Sequence, residues 1–122
     1  MSFIDADTST FTTGSDSAAS FTTKRFTGLL HSIQYVRDST ATALSTAAGL
    51  TVAAQRSGWN VLVMGTFNST IDLFLFPRFN IHSSAGSTIA GFEQFPLKDE
   101  GLTFTLSSGG ATKGGLFRTF IS

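Results

Sequence analysis

Apolar and polar residues alternate in short runs along this chain, most sharply at Leu102-Thr103-Phe104-Thr105-Leu106-Ser107. Successive strand residues point to opposite faces, so Leu102, Phe104 and Leu106 predict a buried face and Thr103, Thr105 and Ser107 a wet one. Phe117, Thr119 and Ile121 alternate with Leu116, Arg118 and Phe120 in the same way. Ser108-Gly109-Gly110-Ala111-Thr112-Lys113-Gly114-Gly115 lies between them, and the two runs read as a hairpin with a long, flexible Gly-rich loop.

Upstream, Leu29 to Val36 is β-rich and stops at Arg37-Asp38-Ser39, and Leu50 to Ala54 stops at Arg56-Ser57-Gly58. Trp59 to Phe67 predicts a buried strand, Asn68-Ser69-Thr70 its turn and Ile71 to Phe76 the return, with Pro77 limiting further pairing. Ser39 to Ala48 is the one helix candidate: its Ala residues favour a helix and its Ser and Thr oppose it. Turn signals every eight to twelve residues predict an all-β fold, an antiparallel β-sandwich or jelly-roll-like barrel.

Residues 1–25 differ from the rest. Ser, Thr, Ala and Asp dominate, and Phe3, Phe11 and Phe21 recur about ten residues apart. Burying such a ring is worth about 2 kcal/mol. The segment therefore predicts an extended N-terminal arm pinned by these three rings to its own domain or to a neighbour, with residues 26–122 as the sandwich domain. Phe3, Phe11 and Phe21 are the expected assembly contacts, and deletion of residues 1–25 is expected to leave a folded domain that assembles less well.

Composition narrows function. Charged residues are 13% of the chain, against about 25% in an average domain. Net charge is zero, and Lys24-Arg25 is the only adjacent basic pair. That argues against a nucleic-acid or membrane partner and for a surface covered by other protein. There is no Cys, so no disulfide and no thiolate chemistry. Met1 to Asp7 lacks the basic start and apolar run of a signal peptide.

Candidate chemistry is sparse, and no catalytic residue, metal or cofactor is expected. Lys113 is followed by Gly114 where a phosphate loop needs Ser or Thr. His31 and His82 stand apart without metal-ligand spacing, and nothing favours their joining Asp72 and a Ser in a triad. Asp5, Asp7 and Asp16 have part of a calcium-loop spacing, but Thr10 stands where the loop needs Gly. Asp99 and Glu100 read as a solvated turn, and Asp72 as the exposed start of a strand. Trp59 and Tyr35 fall in runs that read as buried, which counts against an aromatic sugar platform.

The stretch Gly28-Leu29-Leu30-His31-Ser32-Ile33-Gln34-Tyr35-Val36-Arg37-Asp38 resembles the opening strand of a group of small structural proteins of tailed bacteriophages. Phe76-Pro77-Arg78, His82, Ala85-Gly86 and the closing Ser108 to Phe117 are similar to further motifs of that group. The resemblance covers residues 28–121, is weak from Ala41 to Thr70 and leaves residues 1–25 outside. It implies a non-enzymatic virion component, first of all a capsid decoration (cement) protein. Such a protein would bind between major capsid subunits as a homo-oligomer, with a trimer favoured, and assemble in the host cytoplasm. A head–tail, tail or baseplate component, or a carbohydrate-binding module on the virion, is the alternative.

Overall fold

The structure is a computed structural model that describes residues 5–37, 44, 48–67, 72–82 and 88–122, with residues 79–82 and 88–93 described by their backbone. Eleven strands and no helix form among them. They are β1 (Asp5–Thr12), β2 (Ala19–Thr22), β3 (Phe26–Arg37), β4 (Gly49–Ala54), β5 (Asn60–Met64), β6 (Leu73–Leu75), β7 (Phe79–His82), β8 (Thr88–Glu93), β9 (Pro96–Glu100), β10 (Leu102–Ser107) and β11 (Gly114–Ile121). The helix candidate at Ser39 to Ala48 lies outside the described residues, apart from Leu44 and Ala48, which are both buried.

Two antiparallel sheets carry the fold. One has the order β1-β11-β3-β6, with β9 also on β3; the other has the order β2-β10-β4-β5. β7 and β8 form a separate pair. At Leu29 both backbone bonds go to Ser122, whereas the Leu30 N–H donates to the Phe95 carbonyl. Neighbouring residues of a strand bond to opposite edges, so β9 follows β6 along the same side of β3.

The alternating runs put their apolar faces between these sheets. Leu102, Phe104, Leu106, Phe117 and Ile121 are all buried, while Thr105, Ser107 and Arg118 are exposed. Aromatic rings bridge the layers. Phe104 of β10 lies 4.9 Å from Phe117 of β11, and Tyr35 of β3 lies 5.3 Å from Phe117 and 5.2 Å from Phe67. Such pairs add about 1 kcal/mol each beyond the burial of their area.

The expected hairpins do not form. β10 and β11 lie in opposite sheets, as do β5 and β6. Among consecutive strands of the two large sheets, only β4 and β5 are bonded neighbours. Alternation marks which face of a strand is buried, and both sheets supply a face to the same core, so it cannot say which strand pairs with which. The Gly-rich connection is also held in place. Thr13 exchanges backbone and side-chain bonds with Lys113, its hydroxyl donates to the Gly110 carbonyl, and the Gly109 N–H donates to the Ser17 carbonyl. Gly110 takes φ 85°, a conformation that glycine adopts without steric penalty.

Residues 5–25 are built into both sheets. β1 pairs with β11 from Asp5↔Ile121 to Thr12↔Gly114, and β2 pairs with β10. Phe11 is buried and Phe21 is partly buried against the core, so both rings pack on their own domain. Phe21 stacks on Phe104 at 5.0 Å and on Phe11 at 5.7 Å. Phe3 lies outside the described residues.

Candidate functional site

The outer face of the β1-β11-β3-β6 sheet holds the most distinctive surface. It depends on an extra residue in β3. Phe120 opposes Ser32 and Ile121 opposes Leu30, so His31 has no partner on β11. This bulge puts His31 and Ser32 together on the outer side, while Leu30 and Ile33 stay in the core. A bulge also leaves a backbone group of the extra residue out of the ladder. Arg78 answers it, donating from Nη1 to the His31 carbonyl at 2.9 Å and to the Pro77 carbonyl at 2.7 Å.

Beside the bulge, β6 pairs with β3 at Ile33↔Leu75, Gln34↔Phe74 and Tyr35↔Leu73. Residues two apart share a face, so Phe74 and Phe76 both point outward. They stack at 6.4 Å and are 57% and 56% exposed. The His31 ring meets Phe76 edge-on at 5.9 Å, and its Nδ1 lies 2.9 Å from Ser32 Oγ. Together His31, Ser32, Phe74, Phe76 and Phe120 line an apolar cleft of about 390 Å³. A second, smaller hollow of about 160 Å³ opens at the far end of the same sheet, near Thr10, Val36 and Leu116.

The residues weighed for chemistry take other roles. Asp72 Oδ1 accepts from the Arg37 N–H at 2.8 Å, which ties the start of β6 to the end of β3. Asp5 is bound by Lys24 Nζ at 2.6 Å, and that hydrogen bond holds its carboxyl below the usual carboxylate range. Asp7 Oδ2 accepts from the Lys24 N–H, and Asp16 Oδ1 from the Ala18 N–H. Among the described residues no group of three or more His, Cys, Asp or Glu could hold a metal ion. The His82 side chain and the Asn68-Ser69-Thr70 turn lie outside the described residues.

Two expectations are corrected. Glu100 is no solvated turn residue. It is buried, and its Oε1 accepts from the N–H groups of Arg56 and Ser57, each at 3.1 Å, closing the β4–β5 turn. Its neighbour Asp99 is the exposed one, facing Arg25 and Arg56. Trp59 is 52% exposed: it stands in the connection just before the edge strand β5, outside the core, although its ring meets Phe95 edge-on at 6.5 Å. Tyr35 is fully buried, as its run predicts.

Sequence reading named the strand that carries His31 and the Phe76-Pro77-Arg78 stretch, but it singled out neither Phe74 nor Phe120. The available signal was the i, i+2 spacing of Phe74 and Phe76 behind an exposed Asp72. Comparison with protein-family models, with curated proteins and with solved structures returns no match.

Proposed function

We propose that this protein is a non-enzymatic structural component of a phage virion, a capsid decoration protein that binds between major capsid subunits in many symmetric copies. The observation that carries this reading is the exposed Phe74–Phe76 pair on an outer sheet face, next to the cleft behind it. Exposed aromatic residues grouped around a cleft mark a protein-binding surface, and buried aromatic anchors dominate the energetics of such contacts. Two of the stretches on which the resemblance to phage structural proteins rests, the β3 strand and Phe76-Pro77-Arg78, meet at this cleft. A low charge content lowers the desolvation penalty of covering the surface, and avidity across a symmetric shell multiplies a modest affinity per site. The repeated crossing of consecutive strands between two sheets supports the jelly-roll-like description. The arm and its contact with a neighbouring subunit remain a proposal for Phe3.

Binding to purified, undecorated capsids tests this function. Saturable co-sedimentation that the double variant Phe74→Asp/Phe76→Asp abolishes is the expected result. No binding to capsids, or equal binding by the variant, would overturn it; binding to isolated tails or connectors instead would move the protein to the head–tail or tail class.

The exposure of Trp59 favours one second reading, a carbohydrate-binding module on the virion, since sugars stack on exposed indole rings. A glycan array with Trp fluorescence as readout separates the two, because Trp59 is the only Trp.

A further inference from the structure

β5 lies on the outer edge of the four-stranded sheet, and among the described residues it pairs with β4 alone. An edge strand presents unpaired N–H and C=O groups, and natural sheets protect them with charge, Pro or shortness. The other edges of the two large sheets carry such protection. β1 has Asp5 and Asp7, and β9 has Lys98, Asp99 and Glu100. β6 is three residues long between Asp72 and Pro77, and β2 is four residues long and followed closely by Lys24-Arg25. β5 differs: from Ser57 to Phe67 there is no charged residue and no Pro. Its one bulge falls at Val61, and Leu62, Val63 and Met64 keep regular register with Val52, Thr51 and Leu50.

The neutrality extends across the whole sheet. β2, β4, β5 and β10 contain none of the 8 basic and 8 acidic residues of the chain. All of the charge sits on the other strands and on the connections. At the edge itself, Val63 is 64% exposed, an apolar side chain that a neighbouring strand would partly cover.

We infer that β5 is a dimerisation edge: the β5 strands of two copies pair antiparallel about a twofold axis and join their two sheets into one continuous sheet. In an antiparallel pair about a twofold axis each strand faces a reversed copy of itself, so residues at the axis meet their own images and those beside it meet their near neighbours. A charge at or beside the axis would face the same charge, and the run from Ser57 to Phe67 is free of that repulsion in every register. A different protein partner would be met by complementary charge, which steers and specifies association; β5 and the three strands behind it offer none. Strand pairing satisfies the free backbone groups. It also covers Val63 on the outer face and extends the core past the half-buried Leu62 and Met64 on the inner one. This pairing uses the opposite sheet from the Phe74–Phe76 cleft and needs no capsid, so its failure and the failure of capsid binding are separate results.

Sedimentation velocity on the full-length protein, from micromolar to millimolar concentration, tests the inference together with three variants. The wild type is expected at twice the 12.9 kDa chain mass, with Trp59 emission shifting to the blue as the dimer forms. Val63→Lys and Asn60→Lys, both at exposed β5 positions, are expected to run as monomers with an unchanged circular dichroism spectrum and melting temperature. Thr105→Lys places the same charge on the exposed face of β10, away from the edge, and is expected to remain a dimer. A monomeric wild type, a trimer or larger ring, or dimers that survive both β5 substitutions would overturn the pairing. So would dissociation by Thr105→Lys, which would assign the contact to stacking of sheet faces.

Discussion

Arg78 Nη1 lies 2.9 Å from the carbonyl oxygen of His31, and this bond holds the β3 bulge that turns His31 outward. The residue following Pro77 thus supports a β3 residue forty-seven positions earlier, and the exposed Phe76 ring lies beside the His31 ring. Cleft and bulge are one unit.

Removal of that support has a measurable effect. Arg78→Ala leaves two carbonyl oxygens without their charged donor, and a hydrogen bond to a charged group contributes about 1.5–3 kcal/mol. We expect a loss of about 2 kcal/mol in urea unfolding, with weaker capsid binding by the folded fraction. Arg78→Lys keeps the charge without the planar fork and should fall between. A stability unchanged in Arg78→Ala would show that the bulge holds itself.

Glu100 should act through its acceptor oxygen. Glu100→Ala leaves the Arg56 and Ser57 N–H groups beside a cavity, and we expect about 2 kcal/mol of destabilisation. Glu100→Gln retains an oxygen at that place and should lose less than half as much. Equal losses in chemical denaturation would mean that the charge, not the acceptor, closes the turn.

Thr119 predicts a stabilising substitution. It is buried on the inner face of β11, and its Oγ1 makes no hydrogen bond. Thr119→Val keeps the shape and removes an unsatisfied polar atom, which is worth about 1 kcal/mol. The melting temperature should rise by several degrees for a domain of this size; a fall would indicate that the hydroxyl has a use in the core.

The N-terminal strands should be indispensable. Deleting residues 1–25 removes the β1 partner of β11 and the β2 partner of β10, and strips Phe11 and Phe21 from the Phe104–Phe117 stack. We expect the 26–122 fragment to be unfolded or aggregated by circular dichroism and light scattering. Phe21→Ala alone should cost about 3 kcal/mol, in the range for a ring removed from packed surroundings. A fragment with native-like cooperative melting would restore the arm as a separable segment.

The sequence by itself determined the all-β class, most strand positions and the buried faces of β10 and β11, because the period of two is local chemistry: each residue is apolar or polar whatever its partner. It also indicated the strand carrying His31 and the Phe76-Pro77-Arg78 stretch. Only the tertiary structure decided which strands pair. Thr103 could oppose any strand of matching amphipathicity, and opposes Thr22 and Ala53. The same holds for Phe11 and Phe21, whose regular spacing fits an arm as well as two strands of one core. Trp59 and Glu100 depart from their local patterns for a related reason. Burial depends on what stands across the gap, and an apolar residue in the connection before an edge strand is left outside while a carboxylate facing two N–H groups of a turn is drawn in. The cleft itself, built from β3, β6 and β11, exists only once residues far apart in the chain become neighbours across hydrogen-bonded ladders.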